Sequence, residues 1–347
     1  MQKAIIIIPA LDPNDRLIEL VKELLVFDFR IIVIDDGSRA EYEEIFRKAE
    51  ENGCIIARHS ENLGKGAALK TGIREAVRLF GSGNSYITAD ADGQHLPGDI
   101  LKIAEEMERR PDALVLGTRD LGTDNVPFRS RLGNKFSSVF FRLTNGISCP
   151  DTQTGLRGIP SVLEDLALSE DGNRYEYEMN FLSDAARTVP FCFVPIQTVY
   201  LDGNRTSHFR PIVDSARVYG RFLRFACASL IGAAADYILF YIASVIITLP
   251  QTEMIFAATA IARVGSGIVN YLLNRYFSFQ SRKPMGSEII RYGILFFCQM
   301  GASAGLVSLI SLIPIIPVIV VKLIVDTCLF FVSFTIQKNW VFRKGRD

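Results

Sequence analysis

Tryptophan occurs once in these 347 residues and histidine three times, and the six cysteines lie scattered at 54, 149, 192, 227, 298 and 328. Without clustered Cys and His, neither a zinc site nor a disulfide framework is expected. The spacing of a P-loop is missing, and so is a Gly-x-Gly-x-x-Gly fingerprint, which disfavours a nicotinamide dehydrogenase. Net charge is absent as well: 38 basic residues balance 38 acidic ones, so no basic excess points to nucleic acid and no nucleic-acid partner is expected. The first nine residues are an Ile run broken by Pro9, too short for the apolar region of a cleavable signal, so the front of the chain is expected to stay inside the cell.

What the chain has in excess is apolar sequence, 49% of its residues, concentrated in the last third. Four runs, about 225–249, 254–277, 292–313 and 318–336, are each long enough for a helix to cross a bilayer core of about 30 Å. Four such runs in succession argue against buried globular helices. From residue 219 onward 12 Lys and Arg face 5 Asp and Glu, leaving 26 against 33 in front, so the halves carry +7 and −7. The basic residues sit before the first run, between the second and third, and after the fourth, while 250–253 and 314–317 hold none. The positive-inside rule then predicts an inner-membrane, multi-pass protein with both termini cytoplasmic.

Residues 1 to about 115 alternate short Ile- and Val-rich runs (4–8, 31–34, 54–57, 85–89, 113–116) with helical patterns (16–27, 41–51, 65–80, 100–109). Near-continuous apolar strands suit a parallel sheet buried on both faces, a Rossmann-like α/β arrangement whose ligands gather at the carboxyl ends of the strands. The polar clusters fall at those ends: Pro9, Ala10 and Asp12; Asp35, Asp36, Gly37 and Ser38; Asn62 to Gly66; Asp90, Ala91, Asp92, Gly93 and Gln94. Asp90 and Asp92, one residue apart where a strand gives way to loop, can turn two oxygens toward one hard cation, Mg²⁺ or Mn²⁺, that would hold a diphosphate leaving group. Asp35 and Asp36 can accept hydrogen bonds from a base or ribose, or cap a turn. Lys65 opens a helix, where free amides and the dipole favour phosphate.

The order of these pieces resembles family 2 glycosyltransferases of the GT-A fold, in particular polyprenyl-phosphate sugar transferases similar to dolichyl-phosphate mannose synthase. Ile7-Ile8-Pro9-Ala10, Ile34 to Ser38, Asn62 to Gly66, Asp90 to His95, Gly117-Thr118-Arg119 and Asp151 to Arg157 carry the resemblance, over about residues 4–210. Leu11-Asp12-Pro13 departs from the Tyr-Asn usual there. The resemblance implies a nucleotide-sugar site at Pro9, Ala10, Asp35, Asp36, Gly37, Lys65, Asp90, Ala91 and Arg205, and a cation on Asp90, Asp92 and Gln94. It places the acceptor's phosphate on Arg119 with Arg129 or Arg131, and gives Asp92 and Asp151 catalytic roles. The segment 174–178 matches a stretch with an acidic residue near the sugar, although its bare pattern equally fits an alternating strand, and 204–209 matches a loop that covers the donor in relatives. His208, within it, is assigned no proton-transfer role. A processive polysaccharide synthase is disfavoured, because the only tryptophan, Trp340, lies far from the Gln-x-x-Arg-Trp such enzymes carry.

The back portion resembles the small four-span GtrA-like proteins, on Arg221 to Phe225, Asn270 to Phe279 and Gln337 to Phe342. The expected organisation is therefore a cytoplasmic transferase domain (1–209), an amphipathic interfacial linker (210–224) and an all-α four-span domain (225–347). A second apolar and basic stretch, 128–143, is expected to approach lipid as well. Asp236, Arg263, Lys322 and Asp326 fall inside spans, where pairing is the first expectation. The implied partners are a nucleoside-diphosphate sugar, with UDP favoured and GDP-mannose the other choice, and a polyprenyl phosphate lipid in the membrane. Relatives with small membrane modules often associate, so a homo-oligomer is in view. The rival reading is a sugar-lipid flippase whose front domain only binds nucleotide sugar.

Overall fold

Strand β1 (Ile5–Ala10) is four consecutive isoleucines with no exposed side chain, because both faces of the sheet it joins are covered. The computed structural model describes residues 3–120, 128–197, 211–281, 283–311 and 317–343, and its contacts divide them into two units, Met1–Val218 and Tyr219–Asp347. In the first, seven strands form one sheet in the order β3-β2-β1-β4-β6-β5-β7. These are β2 (Ile31–Asp35), β3 (Ile55–Arg58), β4 (Tyr86–Thr88), β5 (Leu114–Arg119), β6 (Arg157–Ile159) and β7 (Phe191–Ile196) with β1. All pairs are parallel except those of β6, which runs antiparallel to β4 and β5.

Alternation along the strands divides the core in two. Ile6, Ile8, Ile31 and Val33 face helices α1 (Arg16–Leu25), α2 (Glu43–Glu51) and α4 (Pro97–Arg109), through Leu17, Val21, Phe46 and Ile103. Ile5, Ile7, Ile32 and Ile34 face α3 (Lys65–Phe80), with α5 (Phe128–Asn145), α6 (Glu164–Ser169) and α7 (Tyr175–Ala185) completing that layer through Phe141, Ala167 and Phe181. Each fully buried Ile contributes about 1.5–3 kcal/mol, so the period-two pattern fixes the register of every strand. This is the Rossmann-like, mainly parallel GT-A arrangement.

The structure differs from the sequence reading at three places. Residues 174–178 form the start of α7, a helix rather than an alternating strand. β6 and β7 had no counterpart in the sequence reading; β6 is three residues long, one a glycine and one a buried arginine, too short for any period to register. The linker at 210–224 comprises α8 (Pro211–Val218) and, past Tyr219, the first turn of α9 (Gly220–Ile246).

The second unit is α9, α10 (Gln251–Leu273), α11 (Met285–Ile310) and α12 (Val318–Ile336), with π-helical turns extending α10 over Asn274–Ser278 and α12 over Gln337–Val341. All four helices are long and apolar enough to cross a bilayer. An aromatic cluster of Phe225, Tyr271, Phe279, Phe334 and Phe342 fills its core. Lys322 Nζ lies 2.9 Å from Asp326 Oδ2, and Arg263 3.7 Å from Asp236.

At Gly72, on the sheet face of α3, a Cβ would lie 2.5 Å from Ile7 Cγ2 and 2.7 Å from Ile34 Cδ1. A Gly72→Ala change gains up to about 1 kcal/mol of helix propensity, which masks part of the clash. Gly72→Val gains less and crowds more, so it is expected to cost about 1–3 kcal/mol and lower the unfolding midpoint of the detergent-solubilised chain. An unchanged midpoint would contradict this packing.

Candidate active site

The carboxyl ends of β1, β2, β4 and β5 share one edge of the sheet. Because β6 is antiparallel, its first residue, Arg157, lies opposite Thr88 and Leu116 at that edge, which brings the preceding segment 150–156 there too. Five loops are thus gathered by topology alone.

Two carboxylates tie the loops after β1 and β2 to each other and to the segment 59–64 that follows β3. The Asp12 amide donates to Ser38 Oγ (2.9 Å), while Asp12 accepts from the Arg39 amide and Nε (both 3.0 Å). Asp36 accepts from the amides of Leu63 (3.0 Å) and Gly64 (2.9 Å) and pairs with His59 Nδ1 (2.7 Å). His59 Nε2 lies 3.0 Å from Thr71 Oγ1. A ring that donates from Nδ1 to a carboxylate leaves Nε2 to accept the threonine hydroxyl. Asp36 is buried, and its oxygens hold the 59–64 loop in place at the carboxyl edge of the sheet. Asp35, also buried, accepts the Ser38 amide at 2.8 Å. Gly37, between the two loops, has φ +77° and would place a Cβ 2.3 Å from the Glu61 carbonyl carbon, so only glycine fits.

The next constellation centres on Lys65, the first residue of α3. Its ammonium lies 2.7 Å from Asp90 Oδ1 and 3.3 Å from Glu178 Oε1, and Arg157 Nη2 stands 3.6 Å from the same Glu178 oxygen. Arg157 is fixed by its own donations to the carbonyls of Thr154 and Glu178. Burial alone would pull the Lys65 pKa down, but Asp90 and Glu178 more than reverse this and hold it above the usual lysine range. Burial pushes Asp90 the other way, and Lys65 overcomes it and keeps the carboxyl well below its usual range. Asp92 is raised, by burial and by the charge of Asp90, although its Oδ1 accepts the Gln94 amide at 3.0 Å. Burial lowers His95, which accordingly accepts the Asp90 amide at Nδ1, 2.9 Å away, as a neutral ring. Two carboxylates that repel each other while one lysine neutralises only one of them form a donor set suited to a divalent cation shared with substrate phosphates. Among the described residues no cluster of three His, Cys, Asp or Glu could cage a metal by itself.

The third constellation pairs two residues assigned separately by resemblance. Arg119, at the end of β5, grips buried Asp151 from Nε (2.6 Å to Oδ2) and Nη2 (3.0 Å to Oδ1), and the Gln153 amide adds a contact at 3.1 Å. Arg131 is half-buried on the first turn of α5; the side chain of Arg129 and all of Arg205, together with the loop 204–209, lie outside the described residues. Pro9, Ala10 and Ala91 line the strand ends as backbone, with the Asp36 amide donating to the Ala10 carbonyl at 2.9 Å. Sequence reading missed His59, Arg157 and the reach of Glu178. The Asn-x-Gly-Lys-Gly run gave a signal for the last: glycines 64 and 66 admit the start of α7 so closely that a Cβ would lie 2.5 Å from the Asn173 carbonyl oxygen or 2.4 Å from Tyr177 Cβ.

A family model described as glycosyl transferase family 2 matches residues 5–160, and one described as the GtrA/DPMS transmembrane domain matches 224–342. A UDP-N-acetylglucosamine-dolichyl-phosphate N-acetylglucosaminyltransferase from Methanococcus voltae is 30% identical over 217 residues, 57% of this chain and 86% of that one. The chain belongs to glycosyl transferase family 2. An undecaprenyl-phosphate 4-deoxy-4-formamido-L-arabinose transferase from Pseudomonas fluorescens is 27% identical over 173 residues, 47% of this chain and 49% of that one. A solved mannosyltransferase from Pyrobaculum calidifontis, in complex with GDP-Man and Mn²⁺, aligns with 97% of this chain and 87% of its own at 12% identity and TM-score 0.41. The family 2 domain is thus followed by a GtrA-like domain of four apolar helices, and the chain is a membrane protein.

In this family 2 site Gly155 packs so close that an added Cβ would meet Asp90 Oδ2 at 2.3 Å. Gly155→Ala is expected to displace Asp90 from Lys65 and lower transferase turnover about 10²-fold with little change in the unfolding midpoint, read as nucleoside diphosphate release. Retention of wild-type turnover would mean that the position of Asp90 is immaterial.

Proposed function

We propose that this protein is an inverting glycosyltransferase that moves a hexose or N-acetylhexosamine from a nucleoside-diphosphate sugar to polyprenyl phosphate. The observation that carries the reading is the meeting of Lys65, Asp90 and Glu178 at the amino end of α3, on the same sheet edge as the Arg119–Asp151 pair. One end of that edge suits a diphosphate and its cation, the other a phosphate monoester.

Asp90 and Asp92, with Gln94 beside them, would hold Mg²⁺ or Mn²⁺, which when bound supplies positive charge to the leaving diphosphate. Lys65 presents an ammonium that remains charged across the working pH range, at a helix start whose amides also favour phosphate. Asp36, gripping the 63–64 amides, fixes that helix start relative to the β2 loop. On the acceptor side a phosphomonoester has its second pKa near about 6, so its oxygen is largely anionic at neutral pH and needs little help from a base. Asp151 then acts by orienting Arg119, whose planar fork suits a phosphate dianion. Arg129 or Arg131, both in the first turn of α5, would join Arg119 on the same phosphate. Attack from the face opposite the diphosphate inverts the anomeric centre in one displacement. A UDP-sugar donor fits the Methanococcus voltae relative, 30% identical over 217 residues, with GDP-mannose the alternative. The charge asymmetry of the loops favours an inner-membrane placement with both termini cytoplasmic.

The test offers the detergent-purified chain a panel of UDP- and GDP-sugars with polyprenyl phosphate and Mg²⁺ or Mn²⁺, and identifies the glycolipid. Nucleoside diphosphate is expected only when lipid phosphate is present. Asp92→Ala should remove at least about 10²–10³ of the rate without unfolding the chain. Wild-type rates in that variant with metal present, or donor binding with no transfer under any pairing, would overturn the reading, the latter in favour of a sugar-lipid flippase.

A further inference from the structure

Transfer of a sugar between two phosphates needs a diphosphate on one side of its anomeric carbon and a phosphate monoester on the other. Asp90 with Lys65 marks the first place on the sheet edge, and Arg119 with Asp151 the second. One stretch of backbone joins them. Asp151 is gripped by Arg119, and four residues further on Gly155 lies against Asp90, where an added Cβ would meet Oδ2 at 2.3 Å. Four residues of chain reach about 14 Å at most. Attack requires the acceptor oxygen within about 3–3.5 Å of the anomeric carbon, so the sugar in transit lies over the middle of this short stretch.

Both ends of the stretch are fastened. On one side the Pro150 carbonyl accepts from Asn134 Nδ2 at 2.9 Å and from Ser138 Oγ at 3.1 Å, and Thr152 Oγ1 lies 2.6 Å from Ser137 Oγ, so α5 holds it. On the other the Gly155 carbonyl accepts from Thr88 Oγ1 at 2.7 Å and the Leu156 carbonyl from the Gly117 amide at 3.0 Å, so the sheet holds it. Every residue from 151 to 159 is buried except Gln153, which is exposed. The Gln153 amide N–H donates to Asp151 Oδ1 at 3.1 Å and fixes the backbone there. Among the described residues its side chain takes no hydrogen bond. Nε2 stands 3.9 Å from the place a Cβ would occupy at Gly133 on α5, and the missing side chain leaves the amide uncovered.

A neutral amide suits this place. A carboxylate would repel the phosphates on either side of it, and an ammonium would compete with the cation and Arg119 for them. The amide offers two N–H donors and a carbonyl acceptor, a match for sugar hydroxyls or for an acetamido group. Once a sugar covers it, an amide left unpaired by the wrong sugar costs binding, and that cost is what discriminates between sugars. We infer that Gln153 reads the polar groups of the transferred sugar and sets which sugar the chain accepts. The inference rests on the transferase reading, which supplies the two ends between which the sugar lies.

The experiment compares the detergent-purified full chain with Gln153→Ala and Gln153→Met, the second of which keeps the length of the side chain without its hydrogen bonds. UDP-glucose, UDP-galactose, UDP-N-acetylglucosamine, UDP-N-acetylgalactosamine, GDP-mannose and GDP-glucose are offered with Mn²⁺ and polyprenyl phosphate. Kd is measured without acceptor for the same donors and for bare UDP and GDP. Both variants are expected to lose about tenfold in kcat/KM for the preferred donor, the worth of one or two hydrogen bonds between neutral groups. Donors of the same nucleotide should then fall within about threefold of one another. Kd for the bare nucleotide and KM for the lipid phosphate should each change less than about twofold. A wild-type chain without sugar preference, or variants that keep it, would sink the inference. So would equal weakening of the bare nucleotide, or full recovery by methionine, the mark of a packing role. A raised lipid KM with sugar preference intact would move Gln153 to the acceptor and end the assignment. Glycolipid made with that preference unchanged removes only this inference and keeps the transferase reading. Where no glycolipid forms, the Kd values decide: a sugar preference lost in both variants keeps Gln153 and removes the transferase reading, whereas donors bound no differently from bare nucleotide remove both.

Discussion

The contact between Lys65 and Asp90 is the constraint on which the rest of the front domain turns. It joins the start of α3 to the loop after β4, elements that approach only because β1 and β4 are neighbours and α3 packs over β1 and β2. An acidic edge cannot assemble without such a contact: Asp90, Asp92 and Glu178 would repel one another in a site that also desolvates them. One ammonium satisfies Asp90 and Glu178 and leaves Asp92 in excess, raised by burial and by its neighbour's charge. On the proposed reading, the remaining negative potential would favour a cation bound to diphosphate over diphosphate alone.

Most of the fold was legible because its signal is local. Four consecutive isoleucines, then Ile31 to Ile34, announce strands covered on both faces, and the helices between them declare a parallel sheet. What was not legible is topology without periodicity. β6 has three residues, and nothing in Arg157-Gly158-Ile159 states that it runs against its neighbours. Yet that reversal is what delivers Asp151 to Gly155 to the active edge. Residues 174–178 alternate polar and aromatic side chains like a strand, and they form a helix because Tyr177 and Phe181 pack into the core from one helical face.

In the site, residue types were readable and partnerships were not. Asp36, Asp151 and Arg119 could be picked out individually, but a carboxylate reads the same in sequence whether it faces ligand or protein. Asp36 faces His59 and two amides, and Asp151 faces Arg119. These contacts span 23 to 32 residues, beyond any helical or strand period. On the proposed reading the site has two layers: Asp90, Asp92, Lys65 and Arg119 would offer charge to substrate, while Asp36, Glu178, Arg157 and Asp151 fix where that charge sits.

The same side chains carry a different logic in the spans. At the sheet edge carboxylates outnumber the cations near them, so the site is incomplete without an external positive charge. Among α9 to α12, Asp236 and Asp326 each already have a cation and a hydroxyl, so external charge of either sign would displace a partner at a cost that the low dielectric makes large. The distribution of charge therefore separates an edge open to an external cation from a set of spans whose charges are already paired, although both are written in Asp, Arg, Lys and Ser.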